Sequence, residues 1–342
     1  MKIAIIGATG LIGQHAARAV LRNRHALRVI HRAGTDLGKL RGIPYEAVQA
    51  DLNDRAALQT AFKDVDAVIH CAGYYPRQLP GRSGDVEQQL ASAMEEMGNF
   101  CEAGINSDCK KFVYVSAASV LRKKPGHALA DESMRLTQSP PRSNPFQLVK
   151  WWMEEIADQY MRDGMRMSIA IPSMVFGEYD YGPTAGRLIT TISNGGLRRY
   201  VACERNIIYG PDLAEGLIRC ARLGKDGERY ILAGDNVSMQ DLVQKIAHQA
   251  GVDPLQRAPL ALAHAVALLQ QLRSKIDGKA PSIKSTELRM LTAGNFLDTS
   301  KASAELGFRA TTSVDQAIGR ALGWFKDHGF IQQRRFAESY SH

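Results

Sequence analysis

The feature that most constrains the fold is a set of spaced glycines directly after the first apolar segment, in the stretch KIAIIGATGLIG at residues 2–13. The residues Ile3–Ile6 are apolar without interruption, as a strand covered on both faces requires. Residues 11–24 then have the period of a helix. A strand, a tight glycine turn and a helix N-terminus present main-chain N–H groups to a pyrophosphate. The residues expected around that group are Gly7, Thr9, Gly10, Leu11, Ile12 and Gly13.

The chain continues with an alternation of strand and helix. Apolar strands are predicted in the segments LRVIH, AVQADL, DAVIHCAG, KKFVYVSAAS and MSIAIPSMVFG, with helical segments between most of them. This order predicts an α/β fold with a doubly wound parallel sheet of the Rossmann type. We expect a dinucleotide-binding domain at residues 1–172 that regains residues 206–234. Residues 173–205 and 235–330 are expected to form a smaller α/β substrate-binding region, and residues 331–342 a tail.

The end of the second strand indicates which dinucleotide is bound. In sites that prefer NAD, an acidic residue closes that strand and binds the ribose 2′-hydroxyl. This chain has Arg32 there, and a guanidinium suits a 2′-phosphate. We therefore expect NADP(H) to be preferred over NAD(H), although Asp36 lies nearby in the sequence.

Charge and cysteine content limit the partners and the compartment. The net charge of +8 is spread along the chain, which favours a small phosphate-bearing ligand over nucleic acid. The five cysteines are odd in number and form no CxxC pair, so neither a disulfide framework nor a metal site is expected, and a reducing cytoplasm fits best. The most apolar later stretch, residues 259–272, is too short and polar to span a membrane and is predicted to be an amphipathic helix.

Several segments in family order give the chain a clear resemblance to the extended short-chain dehydrogenase/reductases. These are the glycine turn, the Asp51–Leu52 pair, the small residues after the fourth strand, the helix that carries Lys150, and the segment IPSMVFG. The chain is most similar to the dihydroflavonol-reductase-like and nucleoside-diphosphate-sugar-epimerase-like branch. The resemblance implies a homodimer through helices near 90–104 and 147–162. It also implies further cofactor contacts from Asp51, Leu52, Cys71, Ala72, Gly73, Lys150, Pro172, Met174 and Val175.

In the family that the chain resembles, a Ser, a Tyr and a Lys do the chemistry. The Tyr hydroxyl exchanges a proton with the substrate oxygen, the Lys lowers the pKa of that hydroxyl, and the Ser orients the substrate. Lys150 matches the family Lys, but Phe146 stands at the Tyr position and Ala117 at the Ser position. Ser116, directly before Ala117, is a candidate replacement for the lost hydroxyl.

The two missing hydroxyls leave three hypotheses open. In the first, Ala117 and Phe146 are engineered substitutions that disable an ordinary NADP(H)-dependent oxidoreductase. In the second, the protein is natural and another group supplies the acid, with Ser119, Tyr179 or the pair Tyr74–Tyr75 as candidates. In the third, the chain is a non-catalytic NADP(H)-binding sensor.

The substrate side is indicated less clearly. The aromatic residues Tyr74, Tyr75 and Phe176 suit a rather apolar carbonyl compound, which favours reduction of a ketone or oxidation of a secondary alcohol. Arg187 could instead bind a diphosphate, as a nucleoside-diphosphate-sugar epimerase or dehydratase would need. Epimerase chemistry therefore remains the alternative function.

Overall fold

The computed structural model describes residues 1–73, 86–261, 269 and 294–332. Seven parallel strands form the main sheet, in the spatial order β10-β6-β5-β4-β1-β2-β3. These strands are β1 (Lys2–Ile6), β2 (Ala26–His31), β3 (Glu46–Gln49), β4 (Ala67–His70), β5 (Phe112–Val115), β6 (Met167–Pro172) and β10 (Arg229–Leu232). The α/β prediction with a doubly wound parallel sheet is confirmed.

The chain reverses its direction of travel across this sheet next to β1. It first adds β2 and β3 on one side of β1, and then adds β4 on the other side. A ligand of such a sheet binds in the crevice at the carboxyl ends of the strands, where the order reverses. The glycine turn that follows β1 lies at this point.

Helices cover both faces of the main sheet. On one face, Ile3 and Ile5 of β1 lie in a core cluster with residues of α1 (Leu11–Arg22) and α6 (Gly210–Leu223). On the other face, Ala4 and Ile6 lie in a cluster with residues of the second group of helices. That group contains α2 (Arg55–Ala61), α3 (Val86–Ile105) and α4 (Pro145–Arg162). The uninterrupted apolar sequence of β1 is thus explained by burial on both sides.

A second, smaller sheet carries the other half of the fold. It consists of β7 (Met174–Phe176), β9 (Glu204–Tyr209) and β11 (Asp235–Ser238), in the order β11-β9-β7. Three helices share its core cluster, namely α5 (Arg187–Ser193), α7 (Met239–Ala250) and α9 (Val314–Asp327). The remaining elements are the paired strands β8 (Arg199–Tyr200) and β12 (Gln256–Arg257), and the helix α8 (Ser300–Leu306).

The segment 206–234, expected to rejoin the dinucleotide-binding half, is divided between the two sheets. Strand β10 pairs with β6 in the main sheet, and α6 shares the core cluster of β1. Strand β9, however, pairs with β7 and β11 in the small sheet. The hydrogen bonds of β9 to β7 and β11 therefore place this strand in the small sheet. The division of the whole chain into two domains stays a prediction.

Two absences hold for the part of the chain just described. No helix there combines the length and apolar character needed to cross a bilayer. Within the same ranges, no three His, Cys, Asp or Glu side chains converge as metal ligands would. The apolar stretch 259–272, predicted to be an amphipathic helix, lies almost entirely outside the described residues.

Candidate functional site

The glycine turn after β1 brings main-chain atoms as close together as a dinucleotide cradle requires. Gly7 has a φ of +81°, and a Cβ there would lie 2.6 Å from the nitrogen of Ala72. A Cβ on Gly13 would lie 2.1 Å from the carbonyl oxygen of Gly7. Gly10 caps α1 in an extended conformation, and the first turn of α1 carries no acidic side chain. The turn and helix N-terminus therefore suit an anionic pyrophosphate.

The predicted 2′-phosphate residue lies at the end of β2. Arg32 is exposed, and its carbonyl oxygen accepts hydrogen bonds from the Thr35 main-chain nitrogen at 3.3 Å and hydroxyl at 2.9 Å. This closes a short turn that holds the start of the loop. Arg32 interacts with the carboxylate of Glu96 in α3. Burial and the nearby Asp51 raise the pKa of Glu96, and Arg32 lowers it. The charge around Arg32 is thus partly balanced.

The further cofactor contacts predicted from the sequence come from small or apolar residues at the ends of β3, β4 and β6. Cys71 donates its main-chain N–H to the Ile6 carbonyl, which continues the β1–β4 pairing. Burial raises the pKa of its thiol to about 12, so the thiol is neutral. The main-chain nitrogen of Ser173 donates to Leu232 at 3.2 Å between β6 and β7. The other predicted contacts lie beside these, as partly buried or buried residues, except for the exposed Gly73: Leu52, Ala72, Gly73, Pro172, Met174 and Val175.

Lys150 lies in α4 with only 4 % of its surface exposed. Its ammonium donates a hydrogen bond of 2.8 Å to the carbonyl oxygen of Val115, the last residue of β5, and one of 3.4 Å to the Tyr114 hydroxyl. Burial lowers the pKa of Lys150 to about 8, while the charges of Glu154 and Cys71 act to raise it. The lysine is therefore fixed at the carboxyl end of β5, next to the two positions that lack hydroxyls.

The two positions that lack hydroxyls, Ala117 and Phe146, lie on different elements that contact each other. Ala117 is extended and begins a short 3₁₀ turn at Ala118–Val120, directly after β5. Phe146 lies in the first turn of α4, which begins at Pro145 behind the cap residue Asn144. The Gln147 amide joins the two elements by donating 2.5 Å to the carbonyl oxygen of Ser119. Phe146 and Lys150 thus lie on one helix that contacts the turn after Ala117, and the assignment of these three positions to the Tyr, Ser and Lys roles stays a prediction.

Ser116, the candidate replacement, is directed into the protein. It is 3 % exposed, and its hydroxyl donates a hydrogen bond to the carboxylate of Glu154. Glu154 is itself fully buried and is paired with Arg135 at 2.9 Å and Arg229 at 3.4 Å. This geometry favours a structural role for Ser116 over contact with a substrate.

The residues predicted on the substrate side have different locations. Tyr74 and Tyr75 lie outside the described residues. Phe176 is fully buried in the core of the small sheet, which favours packing over substrate contact. Arg187 is exposed at the first position of α5, and Tyr179 lies in the loop after β7 with a φ of +68°. Arg187 as a substrate residue stays a prediction.

The fold and the groove define a dinucleotide-binding enzyme of the α/β class. The model of the NAD dependent epimerase/dehydratase family matches residues 3–233, and the chain belongs to that family. The match covers the whole glycine turn, the Lys150 helix and all the strands of the main sheet. It ends just after β10.

The relatives carry both redox and epimerase names. A putative dihydroflavonol 4-reductase from Synechocystis is 27% identical over 96% of this chain and 95% of its own length. Sterol demethylase protein B from Methylococcus capsulatus is 24% identical over 97% of this chain and the whole of its own length. The crystal structure of a nucleoside-diphosphate-sugar epimerase from Pseudomonas aeruginosa is 34% identical and superimposes with a TM-score of 0.84, covering 97% of this chain and 99% of that one.

The sequence did not predict the ion-pair cluster of Glu154, Arg135 and Arg229 behind Ser116. Glu154 follows Lys150 by four residues, so helical periodicity places both on one face of α4. That signal was present, but two adjacent glutamates, Glu154 and Glu155, compete for it. The partners Arg135 and Arg229 are 19 and 75 residues away from Glu154 in the chain, and only folding brings them to it.

Proposed function

We propose that this chain binds NADP(H) in the groove at the carboxyl ends of β1, β2 and β4, and that its active form interconverts a ketone and a secondary alcohol. The observation that carries the proposal is the buried Lys150, whose ammonium is held 2.8 Å from the carbonyl oxygen of Val115 at the carboxyl end of β5. When bound, the nicotinamide supplies or accepts the hydride. Lys150 is proposed to hold the nicotinamide ribose, and the glycine turn to hold the pyrophosphate.

The preference for the phosphorylated cofactor is supported by Arg32. Its side chain is exposed just beyond β2, at the position where an acidic residue would bind an unphosphorylated ribose. A guanidinium makes two parallel hydrogen bonds to a phosphate, whereas it makes none of comparable strength to a ribose hydroxyl. Glu96 interacts electrostatically with Arg32, so it is the residue expected to moderate the preference.

Redox chemistry is favoured over epimerisation by the names of several relatives. These relatives are named for a dihydroflavonol, a sterol and a 3β-hydroxysteroid. The three compounds share an apolar ring system that carries a carbonyl or hydroxyl group. Epimerisation or dehydration of a nucleoside-diphosphate sugar is the second candidate, supported by the 34% identical structure. Both reactions need the same groove, the same lysine and a proton-transferring hydroxyl.

The chain as it stands is proposed to be impaired. Phe146 cannot donate a proton, and Ala117 cannot donate a hydrogen bond to a substrate oxygen. The engagement of two other hydroxyls supports this proposal, because Ser116 donates to Glu154 and Tyr114 is fully buried beside Lys150. A general acid typically contributes about 10²- to 10⁴-fold to a rate, so its loss is severe.

The test restores both hydroxyls in the variant Ala117→Ser/Phe146→Tyr. Turnover is measured with NADPH against a dihydroflavonol and a ketosteroid and with NADP⁺ against a UDP-sugar, and is expected to exceed that of the parent at least about 100-fold. Net loss of NADPH identifies a reductase, whereas product without net cofactor change identifies an epimerase. Adding Lys150→Met to the double variant is the matched control and should abolish the gain.

Two results would contradict this proposal. A double variant that binds NADPH tightly but turns over none of the three substrate classes supports the sensor hypothesis. A parent chain that already turns over as fast as the double variant requires another acid. In that case Tyr179 and the pair Tyr74–Tyr75 become the first residues to change.

A further inference from the structure

A fully buried carboxylate on α4 lies directly behind the Lys150 site. Glu154 has no exposed surface, and it accepts a hydrogen bond from the Ser116 hydroxyl, which is 3 % exposed. Burying a charged group is costly unless it is paired and hydrogen-bonded. The presence of Glu154 here therefore requires a physical explanation.

Two arginines from distant parts of the chain neutralise this carboxylate. The Nε atom of Arg135, in the segment between β5 and α4, is 2.9 Å from Glu154, and Nε of Arg229 in β10 is 3.4 Å from it. Both guanidiniums also pair with Asp158, one turn further along α4. Arg135 also pairs with Glu155 at 2.6 Å, so two guanidiniums face three carboxylates in this cluster.

Helix α4 holds the last two residues before Ala117. Lys150 donates to the carbonyl oxygen of Val115, and Glu154 accepts from the side chain of Ser116. The two α4 residues are four positions apart, so they lie on one face of the helix. Side chains from a single helical turn therefore fix two consecutive residues at the carboxyl end of β5.

The same carboxylate acts on the ammonium of Lys150. Within the described residues, four side chains influence or contact that ammonium: Glu154 from α4, Cys71 and His70 from β4 and its end, and Tyr114 from β5. Cys71 and His70 have pKa values shifted by burial to about 12 and about 3, so both are neutral near pH 7. Glu154 is therefore the acidic group among them that opposes the effect of burial on Lys150; burial raises the pKa of Glu154 itself, and Arg229, Ser116 and Arg135 act to lower it.

We infer that Glu154 is a positioning residue for the Lys150 site. Its carboxylate fixes the end of β5 through Ser116, and it acts on the Lys150 ammonium from the same face of α4. The inference deepens the proposed function, in which Lys150 binds the nicotinamide ribose. Glu154 does not itself reach the groove, because it is completely enclosed.

The test is a carbon-13 NMR titration of the lysine Cε resonances in the cofactor-free chain, with the Lys150 signal assigned from Lys150→Arg. In Glu154→Gln, the pKa of Lys150 is expected to fall by about one unit, because the carboxylate whose charge raises that pKa is then neutral. Asp158→Asn is the matched control: it removes a charge from the same cluster, one turn further from Lys150, and should shift the pKa by less than half as much. Glu154→Asp keeps the charge and should restore most of the parent value.

The inference is overturned if folded Glu154→Gln leaves the titration of Lys150 unchanged, or if Asp158→Asn shifts it equally. Where Glu154→Gln does not fold, the double variant Glu154→Gln/Arg135→Gln removes one charge of each sign and leaves the Asp158–Arg229 pair. The same fall in the pKa of Lys150 is expected there. NADPH takes no part in this titration, so a failure to bind NADPH would count against the proposed function alone.

Discussion

The ring nitrogen Nε2 of His15 and the carbonyl oxygen of Glu178 are 3.1 Å apart, with the imidazole donating. This hydrogen bond joins α1, which begins at the glycine turn, to the loop that follows β7. The contact is reinforced by Tyr179, whose ring packs edge-on against His15 and lies 3.9 Å below the guanidinium carbon of Arg18. The Glu178 carboxylate also accepts from the Tyr209 hydroxyl at 2.9 Å. The cofactor helix and the small sheet are thus directly connected.

Acid should weaken this connection through His15. Burial lowers the pKa of His15 from 6.5 to about 3, so the folded chain keeps the imidazole neutral while the unfolded chain takes up a proton below pH 6.5. Stability contributed by the neutral imidazole is therefore complete above pH 6.5 and is lost as the pH falls towards 3. The loss is about 2 kcal/mol at pH 5.

This prediction is checked with His15→Asn by denaturant unfolding at pH 7 and pH 5. The variant should lose about 2 kcal/mol less than the parent over that interval, because Asn does not titrate. His70, also buried with a pKa of about 3, remains in both proteins and cancels. His127→Asn, an exposed loop change, should leave the parent's pH dependence intact. Equal pH dependence in His15→Asn and the parent would show that His15 is not responsible.

The third glycine of the turn should tolerate no side chain. In Gly13→Ala the new Cβ would meet the main-chain oxygen of Gly7 at 2.1 Å, a contact that backbone movement must relieve. We expect a loss of about 3 kcal/mol in unfolding free energy, by analogy with overpacked cores, and weaker NADPH binding.

Gly98→Ala is the matched control for this change. Gly98 lies within α3, and a Cβ there would have no neighbour within 4 Å. Because alanine is the better helix former, this variant should gain roughly 0.5–1 kcal/mol. Thermal unfolding and NADPH titration of both variants decide the matter, and a Gly13→Ala chain as stable as the parent would refute the proposed packing requirement.

Cofactor preference should depend on Arg32. In Arg32→Asp, the affinity for NADPH is expected to fall about 10- to 100-fold, because a charge-assisted phosphate contact is replaced by repulsion. The affinity for NADH should change much less, since its ribose carries no phosphate. Calorimetric titration of both cofactors measures the ratio.

Arg222→Asp serves as the control for charge alone. Arg222 is exposed in the last turn of α6. It lies near His25 at the amino end of β2, and Arg32 follows the carboxyl end of the same strand. It changes the net charge equally and should leave the ratio of the two affinities unaltered. Equal losses for NADPH and NADH in Arg32→Asp would remove the basis for the NADP(H) assignment.

Local patterns in the sequence determined much of this protein. The apolar run Ile3–Ile6 and the glycines after it predicted β1, its burial on both faces, and the turn, because a buried parallel strand and a close main-chain approach each restrict the residue types allowed. The spacing of Phe146 and Lys150 likewise predicted their common helix. These features depend on neighbours a few residues apart.

The tertiary structure alone decided where separate segments meet. Strand β9 was expected to rejoin the dinucleotide-binding half but pairs with β7 and β11, and Phe176 lies in the core cluster of that small sheet. Glu154 finds Arg229, and His15 finds Glu178, over 75 and 163 residues of chain. Such contacts follow from the packing of whole elements, and a buried charge or imidazole accepts whichever partner that packing delivers.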